Sequence, residues 1–179
     1  MHVACGRMEI IQRDYRDITG EYDRIAAIGV VEHVGVKNLC SFFHKMNKLL
    51  TPKGIMLVHF FGRNNRRVQT PDPWVEHQIF PGIELPTPAE TLKASEGLFE
   101  VQDVHEIGLD YKPTLIAWYE NFKANWPKLR AEYSKYDDRF YRLWTYYLQC
   151  CAPAFGLGIV NVKQYVFTKP GFGKYTCVR

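Results

Sequence analysis

The sequence predicts an α/β fold with a parallel sheet, on three observations. Residues 25–31 form a near-continuous apolar run, typical of a strand buried on both faces of such a sheet. Residues 55–61 form a second buried strand. Between them, residues 37–50 carry apolar side chains at helical spacing, which predicts an amphipathic helix. Two strands joined by a helix make a right-handed unit in which the strands run parallel.

Composition and charge narrow the class of protein. With 179 residues, of which 46% are hydrophobic, the chain is long enough to bury the core of one domain. The net charge of +4 comes without a stripe of Lys and Arg, which argues against nucleic-acid binding. It suits an anionic lipid surface, although a solvated surface is the commoner explanation. The five cysteines lack CxxC spacing, so we expect reduced thiols in a cytosolic protein.

Hydrophobic segments of the kind used for targeting are not found in the sequence. No apolar stretch resembles the core of a signal peptide at residues 1–5, and no later run reaches the roughly eighteen apolar residues that a membrane helix needs. We therefore expect a protein that is neither secreted by a signal peptide nor membrane-spanning.

The segments around the two central strands are less regular. Residues 8–11 predict a short strand and residues 12–17 a polar turn. Residues 62–86 form a long polar loop that contains Arg63, Arg66 and Arg67, and loops of this length are usually lids or binding segments.

A further helix and strand follow this loop. Thr87, Pro88 and Glu90 predict a helix start with a capping box. Residues 99–105 predict a strand, which the chain leaves through residues 108–111.

Two aromatic-rich amphipathic helices come next, and each places its large side chains on one face. The first face holds Leu115, Trp118, Tyr119, Phe122, Trp126 and Leu129, and the second holds Phe140, Leu143, Trp144, Tyr147, Leu148 and Cys151. Such faces are usually core, but a pair of them would also line a tunnel for a long apolar substrate. Residues 159–167 then predict an antiparallel edge strand.

Ionisable side chains occur where the two buried strands end. Glu32 and His33 follow the first strand, and His59 lies near the end of the second. Because open α/β sheets bind ligands at the carboxyl ends of their strands, these groups are candidates for a site. The alternative is that Glu32 only caps the next helix and His33 is an ordinary loop histidine.

Many short segments together resemble one family. In chain order they are QRDYRD, YDRIAAIGVVEHVGVKN, LLTPKGIMLVH, DPW followed by IFPG, LP, GLDY, TLIAWYENF, YYLQCCAPAF and a closing QYVF. In order and spacing they are similar to the cyclopropane-fatty-acyl-phospholipid synthases, and the likeness runs from Ile10 to Phe167. This resemblance implies the carboxyl-terminal part of a Rossmann-like class I methyltransferase sheet, with an aromatic helical insertion at residues 112–152 and an antiparallel final strand.

The resemblance also implies a reaction and its participants. The enzymes of this family transfer a methyl group from S-adenosylmethionine to a cis double bond of a phospholipid acyl chain, and the product closes to a ring after loss of a proton. We therefore expect S-adenosylmethionine and bicarbonate as cofactors, with unsaturated phospholipid as substrate. The expected location is cytoplasmic, peripheral at the inner membrane face, and the full-length form is expected to be a homodimer.

Site residues follow from the same resemblance. The bicarbonate ligands of the family match Glu32, His59 and Tyr111, with a backbone contact at Phe61. The active-site cysteine matches Cys151, although the chemistry needs no thiolate and a buried cysteine is usually an apolar filler. Asp14, Tyr15 and Gly29 fall where cofactor contacts are expected.

The likeness covers only part of such an enzyme. The glycine-rich cofactor loop and the amino-terminal domain have no counterpart in residues 1–179, so we expect a partial methyltransferase domain that is inactive in isolation. A fragment, a gene-model error and a truncated gene would all explain this.

Two other functions stay open at this stage. One is a non-catalytic remnant that binds lipid or a partner chain. The other is a metal site formed by Glu32, His33, His59 and Cys151, for which the spacing gives no support.

Overall fold

A computed structural model describes residues 8–64 and 72–177 and shows a four-stranded sheet. The strands are β1 (Tyr22–Ile28), β2 (Leu50–Arg63), β3 (Glu100–Glu106) and β4 (Val160–Thr168), in the spatial order β1-β2-β4-β3. β1 and β2 are parallel, whereas β4 runs antiparallel to both β2 and β3. The predicted α/β fold is confirmed.

Six α-helices accompany the sheet in the described residues. They are α1 (Val31–Val34), α2 (Leu39–Leu49), α3 (Pro73–Gln78), α4 (Pro88–Ser95), α5 (Gly108–Glu132) and α6 (Asp138–Gly156). α2 is the predicted connection between the parallel strands, and a 3₁₀ turn, Val36–Asn38, precedes it. At α4, the Thr87 hydroxyl and the Glu90 carboxylate form the predicted capping box.

Two apolar cores lie in this arrangement. The larger one joins α2 to the sheet and includes Phe42, Phe43, Phe60 and Phe167. The second lies between α5, α6 and the end of β4 and includes Leu115, Leu148, Phe155 and Val162. Gly108 allows α5 to start close to β4, because a Cβ atom there would lie 2.1 Å from Asn161 Oδ1.

Two predictions about strand burial are wrong. Only Ala27 of β1 is buried, and Ile28 is 63% exposed, because among the described residues β1 pairs with β2 alone. β4, expected at an edge, lies between β2 and β3, where Val162 and Phe167 are fully buried. An alternating pattern does not distinguish an edge strand from a central strand that carries a few polar side chains.

Two further assignments are corrected. Residues 8–11 have no regular structure and are exposed, because no strand of the sheet pairs with them. Residues 108–111 are the first turn of α5 rather than a strand exit.

The predicted loop 62–86 contains α3, and Arg66 and Arg67 lie outside the described residues. In the described ranges no helix combines the length and apolarity needed to cross a bilayer.

Candidate active site at the strand ends

The chain leaves β1 through Gly29, which places a short helix over the neighbouring strand. Gly29 has a φ of +66°, and its N–H donates to the His59 carbonyl at 2.9 Å. A left-handed backbone of this kind strains any residue with a Cβ atom. This turn directs α1 back over β2 and brings Glu32 to the end of that strand.

Glu32 is a buried carboxyl group with one unsatisfied oxygen. The side chain is 1% exposed, and Oε1 accepts a long hydrogen bond from the Phe61 N–H at 3.4 Å. Within the described residues, Oε2 has no hydrogen-bond partner. Burial raises the pKa of Glu32, although the backbone donors and the nearby His33 and His59 oppose this rise. The site therefore has a carboxyl group whose burial disfavours its charged form, and one oxygen of that group has no partner among the described residues.

The segment before α4 holds Glu32 in place. The Glu84 N–H donates to the Glu32 carbonyl at 2.9 Å, and the Glu84 carboxylate accepts from the Val36 N–H at 2.6 Å. These two bonds connect the segment to both sides of α1. The sequence analysis did not select Glu84, since no local pattern relates it to Glu32.

His59 lies on β2, two residues before Phe61 and therefore on the same face of the sheet. It pairs with Ile28 on one side and Gln164 on the other. The Gln164 side-chain nitrogen lies 3.1 Å from His59 Nδ1. Gln164 was also missed, although it stands first in the QYVF segment. His33, by contrast, is exposed, and its ring meets Phe80 at 6.4 Å.

An aromatic wall closes the other side of this group. The rings of Phe61 and Tyr111 meet edge to face with centroids 5.2 Å apart, and Phe155 lies 4.9 Å from Tyr111. Burial, with a smaller effect of Cys151, raises the pKa of Tyr111. Its phenol therefore keeps its proton at neutral pH and can act as a hydrogen-bond donor.

Cys151 is half-buried on α6, packed against the same aromatic cluster. The neighbouring Cys150 thiol and burial both raise the pKa of Cys151. A thiol in this state is a poor nucleophile, since nucleophilic attack requires the thiolate. Cys151 and Tyr111 pack against the same cluster, and a catalytic role for Cys151 stays a prediction. Among the described residues no group of three or more His, Cys, Asp and Glu side chains is placed to hold a metal ion.

The predicted cofactor residues separate into two places. Gly29 lies at the site, and a Cβ atom built on it would be 3.9 Å from Glu32 Oε1. Asp14 caps a short 3₁₀ turn, Tyr15–Asp17, and the Arg16 guanidinium and backbone N–H lower the pKa of Asp14 to about 2. Tyr15 packs on Phe42 with ring centroids 5.6 Å apart. In the described chain neither Asp14 nor Tyr15 contacts Glu32 or His59.

A cavity of about 290 Å³ lies between α5 and α6. It is lined by apolar and aromatic side chains: Trp118, Phe122, Leu129, Tyr136, Phe140, Trp144 and Leu148. Trp118 also contacts Tyr111, with ring centroids 5.8 Å apart, so the cavity adjoins the aromatic wall of the site. The predicted aromatic faces therefore form both a core and an apolar space.

Comparison with known proteins assigns this arrangement to a family. The family model for mycolic acid cyclopropane synthetase matches residues 4–165. Over 160 residues the chain is 41% identical to the cyclopropane-fatty-acyl-phospholipid synthase of Escherichia coli, covering 89% of this chain and 41% of that protein. It is 33% identical over 147 residues to sphingolipid C9-methyltransferase A of Emericella nidulans, covering 78% of this chain and 28% of that protein.

Solved structures give the same result. The cyclopropane synthase MmaA2 of Mycobacterium tuberculosis has a TM-score of 0.78 at 25% identity, covering 87% of this chain and 58% of that one. The mycolic acid cyclopropane synthase CmaA1, complexed with SAH and CTAB, has a TM-score of 0.77 at 26% identity, with the same coverage. The chain spans about two fifths of the length of the E. coli relative. Within that span, the chain belongs to the mycolic acid cyclopropane synthetase family.

Proposed function

We propose that this chain provides the base-bearing and lipid-facing part of an S-adenosylmethionine-dependent methyltransferase that modifies a cis double bond of an unsaturated phospholipid acyl chain. The observation that carries the proposal is the buried Glu32 carboxyl, with its free oxygen, beside His59 and the wall formed by Phe61 and Tyr111. Family membership and the 41% identity to the E. coli synthase support the reaction class.

The reaction requires a site that excludes water and a base that accepts a proton. When bound, S-adenosylmethionine supplies an electrophilic methyl group. An alkene is a weak nucleophile, so the acceptor must be oriented closely and shielded from water. The cavity between α5 and α6 offers an apolar space for the acyl chain, and its lining residue Trp118 contacts Tyr111. The proton lost before ring closure must pass to a base at the strand ends.

We assign the base to a bicarbonate ion held by Glu32, His59 and Tyr111. Two negative oxygens repel each other unless one holds a proton, and burial already raises the pKa of Glu32. A protonated Glu32 donates through its free oxygen, and the neutral Tyr111 phenol supplies another donor. The protein groups thus fit a small oxyanion, and Glu32 functions as an acid that binds it.

The described residues fit only one side of S-adenosylmethionine. Gly29 leaves room for close backbone approach beside Glu32. The Asp14 carboxylate is engaged by Arg16, so the turn it caps offers Tyr15 and backbone groups rather than a free acid. We propose that this turn and Gly29 border the donor and that segments outside this chain supply the remaining contacts.

We further propose that the protein works at an anionic membrane surface. Lys123 and Lys128 are exposed on α5, while Arg130 forms an ion pair with Asp138. Each basic side chain near an anionic bilayer contributes about 1 kcal/mol at most. We assign the electrostatic attraction to Lys123 and Lys128, and it should be sensitive to salt.

The test uses a hybrid enzyme, in which this chain replaces the aligned 160 residues of the E. coli synthase. It is assayed by mass spectrometry on vesicles of cis-unsaturated phosphatidylglycerol or phosphatidylcholine. We expect acyl chains heavier by one CH₂ group, and we expect Glu32→Met, which keeps the length of the side chain but removes the proposed donor, to lower the yield of this product strongly. A hybrid that binds S-adenosylmethionine and vesicles but yields no product would contradict the proposal and support a non-catalytic lipid-binding role.

Charge variants of the hybrid test the membrane contact. Replacing both Lys123 and Lys128 with Gln should weaken binding to phosphatidylglycerol, because the proposed surface loses two charges. Replacing Lys48 and Lys53, at the end of α2 and the start of β2, changes the net charge equally and should have little effect. Equal losses from both pairs would show that only net charge matters.

A further inference from the structure

We infer that Gln164 selects the Nε2–H tautomer of the His59 ring, so that His59 presents a hydrogen-bond donor to the site. Gln164 is thereby a positioning residue that acts through His59. The inference deepens the proposed function and rests on it for the identity of the ligand, but the tautomer itself depends only on the geometry of β2 and β4.

The strand register places the two side chains together. β2 and β4 pair without a break from Ile55 opposite Thr168 to Arg63 opposite Val160, and His59 faces Gln164 in the middle of this ladder. Directly opposite residues on an antiparallel pair project from the same face of the sheet. The contact therefore belongs to the most continuous pairing in the molecule.

Hydrogen-bonding chemistry then determines the tautomer. The Gln164 nitrogen that lies 3.1 Å from His59 Nδ1 belongs to an amide NH₂ group, which can donate but not accept. Nδ1 must therefore accept, and a neutral imidazole then carries its proton on Nε2. The second nitrogen of His59 is thus a donor.

A donor at this position would add a third hydrogen-bond donor to those proposed for Glu32 and Tyr111. Burial raises the pKa of the Glu32 carboxyl, and the Tyr111 phenol keeps its proton at neutral pH. A third donor from His59 gives a set of groups that suits an oxyanion, whereas an Nε2 lone pair would repel one. Of the titratable side chains near this histidine, Glu32 from α1 is close enough for His59 to oppose the rise of its pKa, and His105 on β3 pairs with Gln164. Tyr111 from α5 contacts the ring of Phe61, two residues further along β2.

The direct test is the nitrogen NMR spectrum of His59 in the ¹⁵N-histidine-labelled 179-residue chain. The chain has six histidines, so His59→Gln identifies the signals. We expect a pyridine-like Nδ1 and a pyrrole-like Nε2 at a pH where the ring is neutral. A pyrrole-like Nδ1 would overturn the inference, because Gln164 would then present its oxygen to the ring.

Variants separate this role from simple packing. Gln164→Glu replaces the donor with an acceptor, so the proton should move to Nδ1. Gln164→Met keeps the length of the side chain but removes its polarity, so the two tautomers should mix. The matched control is Gln102→Glu on β3, where the native amide donates to Thr168 Oγ1 at 2.8 Å and does not contact His59. The control should leave the His59 signals unchanged, and an equal shift in the control would also overturn the inference.

The hybrid enzyme provides a second measurement if a variant of the chain does not fold. A carboxylate at position 164 favours the imidazolium form and should move the pH profile that depends on His59 to higher pH. We expect Gln164→Glu to lower kcat roughly tenfold, the lower end of the range known for outer partners of functional histidines. An unchanged profile with full activity would contradict the inference. An inactive wild-type hybrid with the expected tautomer would count only against the proposed function.

Discussion

The two faces of the sheet use similar aromatic side chains in different ways. Under α2, the rings of Phe42, Phe43, Phe60 and Phe167 are at most 1% exposed. On the opposite face, α5 and α6 leave Trp118 45% exposed and border an apolar cavity that is open to solvent. Complete burial stabilises a fold, while partly open apolar space is what a ligand can fill. Composition alone therefore does not separate the structural core from the binding region.

Polar groups also differ between two parts of the molecule: those around α4 are paired with each other, whereas the Glu32 carboxyl at the strand ends is not fully paired. Around α4, the Thr87 hydroxyl and Glu90 carboxylate satisfy each other, and the Thr91 hydroxyl donates to the Thr87 carbonyl. At the strand ends, the Glu32 carboxyl is more deeply buried than that of Glu90 but keeps a free oxygen. A buried polar atom without a partner is costly, and natural proteins retain such groups mostly at functional sites.

The largest expected contrast comes from truncating one aromatic ring in each region. Phe43→Ala should lower the free energy of unfolding by about 3–5 kcal/mol, because it leaves a sealed cavity beneath Phe99 and Phe167. Phe122→Ala should cost roughly 1–2 kcal/mol, because it enlarges a space that already exists. Urea unfolding of the hybrid enzyme measures both values. Equal losses would show that α5 and α6 pack as tightly as the core under α2, which would contradict the difference between the two faces.

A smaller effect is expected from the unsatisfied carboxyl. The folded state raises the pKa of Glu32 above its usual 4.5, so it binds more protons than the unfolded state between these two values. Stability from this group is therefore complete below about 4.5 and is lost as the pH rises through the folded value. Glu32→Gln removes the cost of burying a charge, keeps an acceptor for the Phe61 N–H, and should stabilise the protein at neutral pH.

Thermal melts across pH measure this effect. The difference between the variant and the wild type should be larger at pH 8 than at pH 4. Glu90→Gln is an informative control, because the Glu90 carboxylate already accepts from Thr87 and its loss should destabilise. A destabilised Glu32→Gln at neutral pH would show that the wild-type carboxylate is satisfied.

The sequence predicted individual helices better than it predicted which strands lie side by side in the sheet. Helical spacing identified α2, α5 and α6, and the Thr87 capping box marked the start of α4. The burial of β1 was overestimated because burial depends on which strands lie beside it. β4 was misplaced for the same reason, since sheet order is a property of the fold and not of one segment.

The residues proposed to line the site were predictable, whereas the residues that hold them in place were not. Glu32, His59, Phe61 and Tyr111 came from family resemblance, and the structure brings them together at the strand ends. Glu84 and Gln164 lie 52 and 105 positions from the residues they hold, Glu32 and His59, so no local pattern reveals them. Such partners become visible only when the register of β2 and β4 and the path of the chain before α4 are known.

Glu32, His59 and Tyr111 are proposed to hold one bicarbonate ion as a unit. The rate of the hybrid enzyme is measured in bicarbonate-depleted buffer, with and without added bicarbonate, for the wild type, Glu32→Met, His59→Gln and the double variant. We predict that bicarbonate restores the wild-type rate and that the double variant loses little more than the worse single variant, because groups acting as a unit share one contribution. A wild type indifferent to bicarbonate, or a double variant that loses the full product of both single losses, would contradict the claim.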